Sequence, residues 1–482
     1  MNFNELLNLV SSDNTPDICV DSRAVRDGDI FVAVKGTACD GHDFISQAIA
    51  GGAEYIVCQS APDKCDQKST DIIVVDDSTQ AAALLAQTLR GSPACRLTNL
   101  AVTGTNGKTT VAYLVRSCIQ KAGQKCGLLG TVIYDTCSGN SSEAVLTTPD
   151  CMTIAAGQDQ MLKNGAKYMI IEASSHALSQ NRLAGISFKA AAFTNLAGDH
   201  LDYHKTEDDY LAAKTILFSA LSSDAVAVLN KQSPHAESIA KQTEAKILWY
   251  SIDAPADIIA RIESMDTGGT VFNMEYAGQS AIVTTPLLGL YNVSNCLAAT
   301  GLCLAAGFDL ETIAAGLSAL KTIPGRLEKI DFDCDFSVLV DYAHTDDALK
   351  NVLSTLKPLC KGRLIVVFGC GGDRDKTKRP RMAKVAEQLA DFIIVTSDNP
   401  RTENPDEIIK DIITGFEYPD SQTILIEPDR KKAIASAIRT ANKNDIVLIA
   451  GKGHETYQII GKQKFDFSDK KIAMEYLTIS QI

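Results

Sequence analysis

At 482 residues the chain is long enough for about three domains, each able to bury its own core. Hydrophobic residues are 45% and charged residues 22%, which excludes a wholly disordered chain. Lys plus Arg is 46 against 59 Asp plus Glu, a net charge of −13, which argues against a surface that coats nucleic acid but leaves room for a local basic pocket. No apolar run approaches the roughly 18 residues of a membrane helix. The opening MNFNELLNLVSSDNTPD lacks a basic n-region, so no signal peptide is expected. The 14 cysteines are scattered and form no C-x-x-C pair. They read as small buried hydrophobes of a reducing, cytoplasmic protein.

In chain order, Asp29–Val34, Glu54–Gln59 and Asp71–Asp76 are short β-rich runs, and Ser78–Gly91 reads as a helix with a Ser/Thr cap. Ser92-Pro93 punctuates the chain, placing a boundary near residue 95. Leu100–Gly104, Tyr168–Ser174 and Ala190–Leu196 are near-continuous apolar runs, as in parallel strands buried on both faces. Alternation over Ile258–Pro286, with a turn at Gly268-Gly269, predicts an antiparallel insert. Helices are expected at Asn292–Ala306 and Glu311–Leu320, then a hinge at Pro324-Gly325. The last third alternates helices with strands at Ser337–Ala343, Arg363–Cys370, Phe392–Asp398, Thr423–Pro428 and Asp445–Gly451, a doubly wound pattern. The polar clusters DYAH, GCGGDRD, SDNPR and GKGHE fall at strand C-terminal ends, where such sheets bind ligands.

The strongest chemical motif is VTGTNGKTT, Val102–Thr110, between a strand and a helix. Glycines let backbone N–H groups approach phosphate, the helix N-terminus adds positive potential, and Lys108 supplies a point charge. Thr109 or Thr110 can reach a magnesium ion. Val102 stands where the full P-loop pattern has its first glycine. A GTPase needs N-K-x-D after a strand of the same sheet; Asn442–Asp445 has those letters but precedes a strand of the last domain. Glu172 ends an apolar strand, where a magnesium-bound carboxylate sits in P-loop proteins; the plainer reading is a strand-end acid before a serine cap. Asp199, His200, Asp202 and His204 cluster at another strand end, but magnesium prefers oxygen, so the histidines alone argue little for metal. Composition alone places Lys214 on a helix surface. Of 7 histidines, His176, His200, His204, His344 and His454 fall in these strand-end motifs.

GTNGKTT, E-x-SSH, NL-x-x-DHLDYH, Y-x-x-AK-x-x-LF, YN-x-x-N, GR-x-E, DYAH and GKGHE occur here in the order seen in the Mur ligase family, and the chain resembles that family over essentially its whole length. The resemblance implies an α/β protein of three domains: an N-terminal α/β UDP-substrate domain (1–95), a central P-loop ATPase with a parallel sheet and an antiparallel insert (96–323), and a C-terminal Rossmann-like domain that binds an amino acid (324–482). The DSR and DGDIFVA segments within Asp21–Ala33 look like the member adding the third peptide residue. The implied reaction joins meso-2,6-diaminopimelate to UDP-N-acetylmuramoyl-L-alanyl-D-glutamate in peptidoglycan precursor synthesis, using ATP, Mg2+ and an acyl-phosphate intermediate. A monomer with no nucleic-acid or membrane partner is expected.

The resemblance also assigns residues. Gly104, Thr105, Asn106, Gly107, Lys108, Thr109 and Thr110 would hold ATP phosphates, with Asn292, Asn295, Arg326 and Asp341 contacting ATP. Thr109, Glu172, His200 and a carbamylated Lys214 would support metal; Lys108, His200 and Lys214 are the catalytic candidates. Ser22, Thr37, Ala38 and Cys39 would bind the UDP part, and Thr147, Thr148, Ser174, Gln180 and Arg182 the muramyl dipeptide. Arg374, Asp398, Asn399, Pro400, Arg401, Gly451 and Glu455 would bind the amino acid, the DNPR form going with diaminopimelate. Leu146, where some relatives place Asn, and TDD after DYAH depart from the pattern. Two alternatives remain at this point: a lysine-adding or folylpolyglutamate-type ligase, and a P-loop regulator that binds nucleotide without ligation.

Overall fold

The computed structural model describes residues 1–11, 16–36, 39–62, 70–198 and 201–479, with the backbone alone at 201–202. The N-terminal part is a parallel sheet in sequence order, Ile18–Cys19, Ile30–Val32, Tyr55–Cys58 and Asp71–Val74. Helices Phe3–Val10 and Ser78–Leu89 cover one face through Leu6, Val10, Ala82 and Leu85. The cap of the second helix is Asp77, not the expected Ser or Thr: its carboxylate accepts from the Thr79 and Gln80 N–H groups, and Ser78 is buried inside the first turn. The same helix carries Gln87, which donates to Gln158 Oε1 at 2.6 Å; Gln158 donates in turn to Asn99 Oδ1 at 3.2 Å. This buried, mutually satisfied amide chain seats the N-terminal sheet on the central one.

Among the described residues the central sheet has eleven strands, with Thr98–Thr103 near its middle between Phe188–Phe193 and Tyr168–Glu172, both parallel to it. Helices Lys108–Lys121, Leu290–Ala305 and Leu310–Ala319 pack on one face, and Cys151–Lys163 with Glu207–Ser219 on the other. Burial on both faces is why these strands read as unbroken apolar runs. The antiparallel strands Ile258–Asp266, Gly269–Tyr276 and Gln279–Thr285 are present, and they continue the main sheet outward because Ile258–Ala260 pair parallel with Tyr250–Ile252. Strands Cys126–Leu129, Val226–Asn230 and Lys246–Ile252 were not expected from sequence; all three pair within this sheet.

All five expected C-terminal strands form, as Ser337–Asp341, Leu364–Phe368, Phe392–Val395, Ile424–Ile426 and Ile446–Ala450, mutually parallel, with Glu328–Lys329 antiparallel at one edge. Asp445 of the NKND segment accepts from the backbone N–H groups of Asn442 and Arg363 and from the Arg363 guanidinium, so those letters serve a strand start rather than a base. Among the described residues no helix is long and apolar enough to cross a membrane.

One buried ion pair braces the loops at the strand ends. Arg430 and Asp469 have no exposed side-chain surface and pair through two bonds of 2.8 and 2.7 Å. Arg430 also donates to the carbonyls of Ser397 and Ala450, the residues just before Asp398 and Gly451. Removing one partner strands the other charge in the interior. Asp469→Ala is therefore expected to destabilise the C-terminal part by about 3–5 kcal/mol, read by hydrogen exchange, with the central sheet unaffected; unchanged protection would contradict this.

Candidate active site

Strand Thr98–Thr103 delivers the glycine loop to the N-terminus of helix Lys108–Lys121. Gly104 has φ +148° and Gly107 φ +90°; a Cβ on the first would overlap Thr194 Oγ1, and on the second the Asn295 side chain. Only glycine fits either place. Neighbouring Thr194–Asn195 clamp the loop: Thr105 N–H donates to the Asn195 carbonyl, Asn106 N–H to Asn195 Oδ1, and Thr194 Oγ1 to the Asn106 carbonyl. Lys108 Nζ donates to the carbonyls of Gly104 and Thr105, each at 2.8 Å.

Glu172, fully buried, ends the adjacent strand. Its carboxylate accepts from Thr109 Oγ1 at 3.0 Å, Thr131 Oγ1 at 2.8 Å and Thr131 N–H at 2.9 Å. Thr131 is a lone threonine just past the strand Cys126–Leu129, and no local motif marks it. This cluster offers only oxygen donors, the set magnesium prefers, and few enough of them to leave positions for phosphate and water. Among the described residues no group of three or more His, Cys, Asp and Glu could hold a metal. His200 lies outside the described residues.

Lys214 is 1% exposed, against its surface reading from composition. Helix Glu207–Ser219 aims its Nζ at the Gly104 carbonyl, 3.0 Å away, and over the Tyr210 ring at 4.2 Å. Tyr210 Oη lies 3.2 Å from Thr105 Oγ1, and His204 Nε2 lies 2.9 Å from Ser175 Oγ.

From the C-terminal part, Arg326 donates to Thr109 Oγ1 at 3.2 Å and stacks on Tyr342. Asp347 accepts from Asn106 Nδ2 at 3.0 Å, a second bridge to the glycine loop; burial and the neighbouring Asp346 raise its pKa. Asp341 accepts from the N–H groups of Leu327 and Ala343, and burial raises its pKa too. Burial and the Arg326 charge lower His454 to about 4, leaving it neutral at pH 7. Arg326, Asp341, Tyr342 and Asp347 line a cavity of about 810 Å³ together with Thr105–Thr110, Glu172, Asn292 and Asn295.

The other expected sets fall in separate places. Thr148 Oγ1 donates to Ser174 Oγ at 2.9 Å, Arg182 donates to the Thr148 carbonyl at 3.0 Å and, through Nε and Nη2, to Gln180 Oε1, so these four residues form one patch; Thr147 lies beside it at the cavity wall. In the N-terminal part Ser22 donates to Gln47 and Cys39 is exposed, while Thr37 and Ala38 lie outside the described residues. In the C-terminal part Arg401, at φ +53°, donates to the Gly372 carbonyl, and its backbone bonds to Ile459 and Gly461. A Cβ on Gly371 would fall 2.9 Å from Arg401 Nη1 and 3.9 Å from Arg374 Cγ, so both arginines flank this glycine. Asn399 donates to Glu455 Oε2, Pro400 is buried, and a Cβ on Gly451 would lie 2.6 Å from Asp398 Oδ2. The Gly451 N–H donates to the Asp341 carbonyl, which links this cluster to the cavity.

Three family descriptions match successive parts of the chain: Mur ligase family, catalytic domain (17–90), Mur ligase middle domain (102–303), and Mur ligase, glutamate ligase domain (325–453). The UDP-N-acetylmuramoyl-L-alanyl-D-glutamate–2,6-diaminopimelate ligase of Geobacillus thermodenitrificans is 44% identical over 95% of this chain and 94% of its own. The protein of that name from Gloeobacter violaceus is 44% identical over 99% and 98%. A solved structure of a ligase with that name superposes with a TM-score of 0.71 at 34% identity, covering 100% of this chain and 99% of the other. Sequence, fold and the geometry of the glycine loop agree: the chain belongs to the Mur ligase family.

Proposed function

We infer that the cleft between Gly104–Thr110, Glu172 and Arg326 is where this chain, an ATP-dependent ligase joining meso-2,6-diaminopimelate to UDP-N-acetylmuramoyl-L-alanyl-D-glutamate, performs phosphoryl transfer. The observation that supports this placement is the convergence of Lys108, Lys214 and Arg326 on one glycine loop beside an oxygen-only cluster. We place the UDP-substrate domain at 1–95, the ATP-binding domain at 96–323 and the amino-acid domain at 324–482.

The chemistry follows from charge. The D-glutamyl γ-carboxylate repels nucleophiles. Its oxygen attacks the γ-phosphorus of ATP and ADP leaves, giving an acyl phosphate. The neutral amine then adds to the acyl carbon, and the tetrahedral intermediate expels phosphate as the amine loses a proton. Loop N–H groups and Lys108 hold the phosphates, while Arg326 reaches them from the opposite domain. Asn292, Asn295 and Asp341 shape the nucleotide end. Thr109 and Glu172, joined by Thr131, would hold Mg2+, which supplies positive charge to the transferring group. Lys214 joins the metal-supporting set, with His200, as a carbamate: its ammonium first loses a proton, and the neutral amine then adds to carbon dioxide with release of a second proton, which leaves a carboxylate-like anion in place of the buried cation.

Ser22, Thr37, Ala38 and Cys39 take the UDP end of the substrate, and Thr147, Thr148, Ser174, Gln180 and Arg182 the muramyl dipeptide. Arg374, Asp398–Arg401, Gly451 and Glu455 take the incoming amino acid. Arg401 suits the far carboxylate of diaminopimelate, which a guanidinium pairs bidentately and lysine lacks.

Phosphate release should require ATP, the muramyl dipeptide nucleotide and amino acid together. In that assay Lys108→Ala and Lys214→Ala are expected to be inactive with unchanged circular dichroism, and short-chain carboxylates to restore part of the second alone. Near-normal turnover of either variant would contradict the placement. The unaltered enzyme is expected to prefer meso-diaminopimelate strongly over L-lysine, and Arg401→Ala to weaken diaminopimelate binding by about 2–5 kcal/mol. Equal use of both amino acids would refute that assignment.

A further inference from the structure

Beneath the amino-acid pocket lies a lysine with no exposed surface, Lys452. It follows strand Ile446–Ala450, and its neighbours Gly451 and Gly453 sit at φ +114° and +54°. This doubly left-handed turn folds the side chain under the Asp398–Arg401 loop. A buried ammonium is costly unless its N–H groups find acceptors. Lys452 Nζ donates to Asn399 Oδ1 at 3.0 Å and to Glu455 Oε2 at 2.9 Å. Asn399 Nδ2 donates to the same Glu455 oxygen at 2.8 Å, closing a three-membered ring of side chains. Asn399 Oδ1 also accepts from the Ile459 N–H at 2.9 Å, so both ends of the amide are fixed.

The consequence falls on Glu455. Its Oε2 receives two donors, while Oε1 receives none from the described residues, and the side chain keeps 14% exposure. One oxygen is anchored and the other is left toward a ligand. We infer that Lys452 is a positioning residue for the incoming amino acid: it holds Glu455 and Asn399 in the geometry that receives the ligand's ammonium group, without touching the ligand. The inference rests on the reading of Asp398–Arg401 and Glu455 as the amino-acid pocket. The surrounding charges agree with it. Asp398 and Glu455 face buried Arg430 as well as Lys452, so Lys452 is not needed as the sole neutralising cation and its directional bonds are its distinct contribution.

Steady-state kinetics of the full-length enzyme with meso-diaminopimelate tests this. Losing two hydrogen bonds to a charged acceptor network should raise the amino-acid KM of Lys452→Met about tenfold or more. The kcat and the KM for ATP should stay within about twofold. Lys452→Gln, which still donates, should fall between the two, and it decides the matter should Lys452→Met not fold. In a Glu455→Gln background the effect of Lys452→Met should shrink, because Lys452 acts through Glu455. An unchanged amino-acid KM in the Lys452 variants, with a raised one in Arg401→Ala, overturns the inference and leaves the pocket standing. An unchanged KM in Arg401→Ala as well removes the pocket assignment itself. All KM values and kcat moving together in Lys452→Gln would reduce Lys452 to general structural support and likewise overturn it.

Discussion

Repulsion between two anions, a nucleotide triphosphate and a carboxylate, is the constraint on which this architecture turns. A chain of net charge −13 must hold them within bonding distance. The fold answers locally. Parallel strands end side by side, so Gly104, Glu172 and Asn195 meet at the strands' C-terminal ends, and the helix starting at Lys108 points its positive end there. Lys108 and Lys214 both donate to the Gly104 carbonyl, and Arg326 reaches Thr109. The basic pocket that composition permitted is thus built from Lys108, Arg326 and the helix N-terminus.

The same edge is where the domains meet. Asn106 bonds to Asp347 and Arg326 to Thr109, so the glycine loop is gripped from the C-terminal side. Gly325 lies so close to Gly453 and His454 that any Cβ there would overlap their backbone. The hinge residue and the turn that carries Lys452 are therefore packed together. Through Gly451 N–H to the Asp341 carbonyl, the cavity and the Asp398–Arg401 loop sit on adjacent strand ends, and the Arg430–Asp469 pair stiffens them from below.

Much of this was legible in the sequence because it depends on local pattern. GTNGKTT needs its glycines at positive φ, and strands buried on both faces need apolar runs, so both left marks in the order of residues. Features made by distant contacts left none. Lys214 looks like a helix-surface lysine until the helix is docked against Gly104; Thr131 gains meaning only from Glu172, 41 residues away. Arg430 and Asp469 are 39 residues apart, and nothing in either neighbourhood announces the pair. The Asp77 cap shows a smaller version of the same limit: Ser78 is an equally good capping residue, and the chain's path decides between them.

The claim that the cleft joins carboxylate to phosphorus before it joins carboxylate to amine can be tested by following one atom. With 18O placed in the γ-carboxylate of the D-glutamyl residue, turnover with ATP and meso-diaminopimelate should move one labelled oxygen into the released inorganic phosphate. The other should remain in the new amide. Phosphate free of label after complete ligation would contradict the account, because the carboxylate oxygen would then never have bonded to phosphorus.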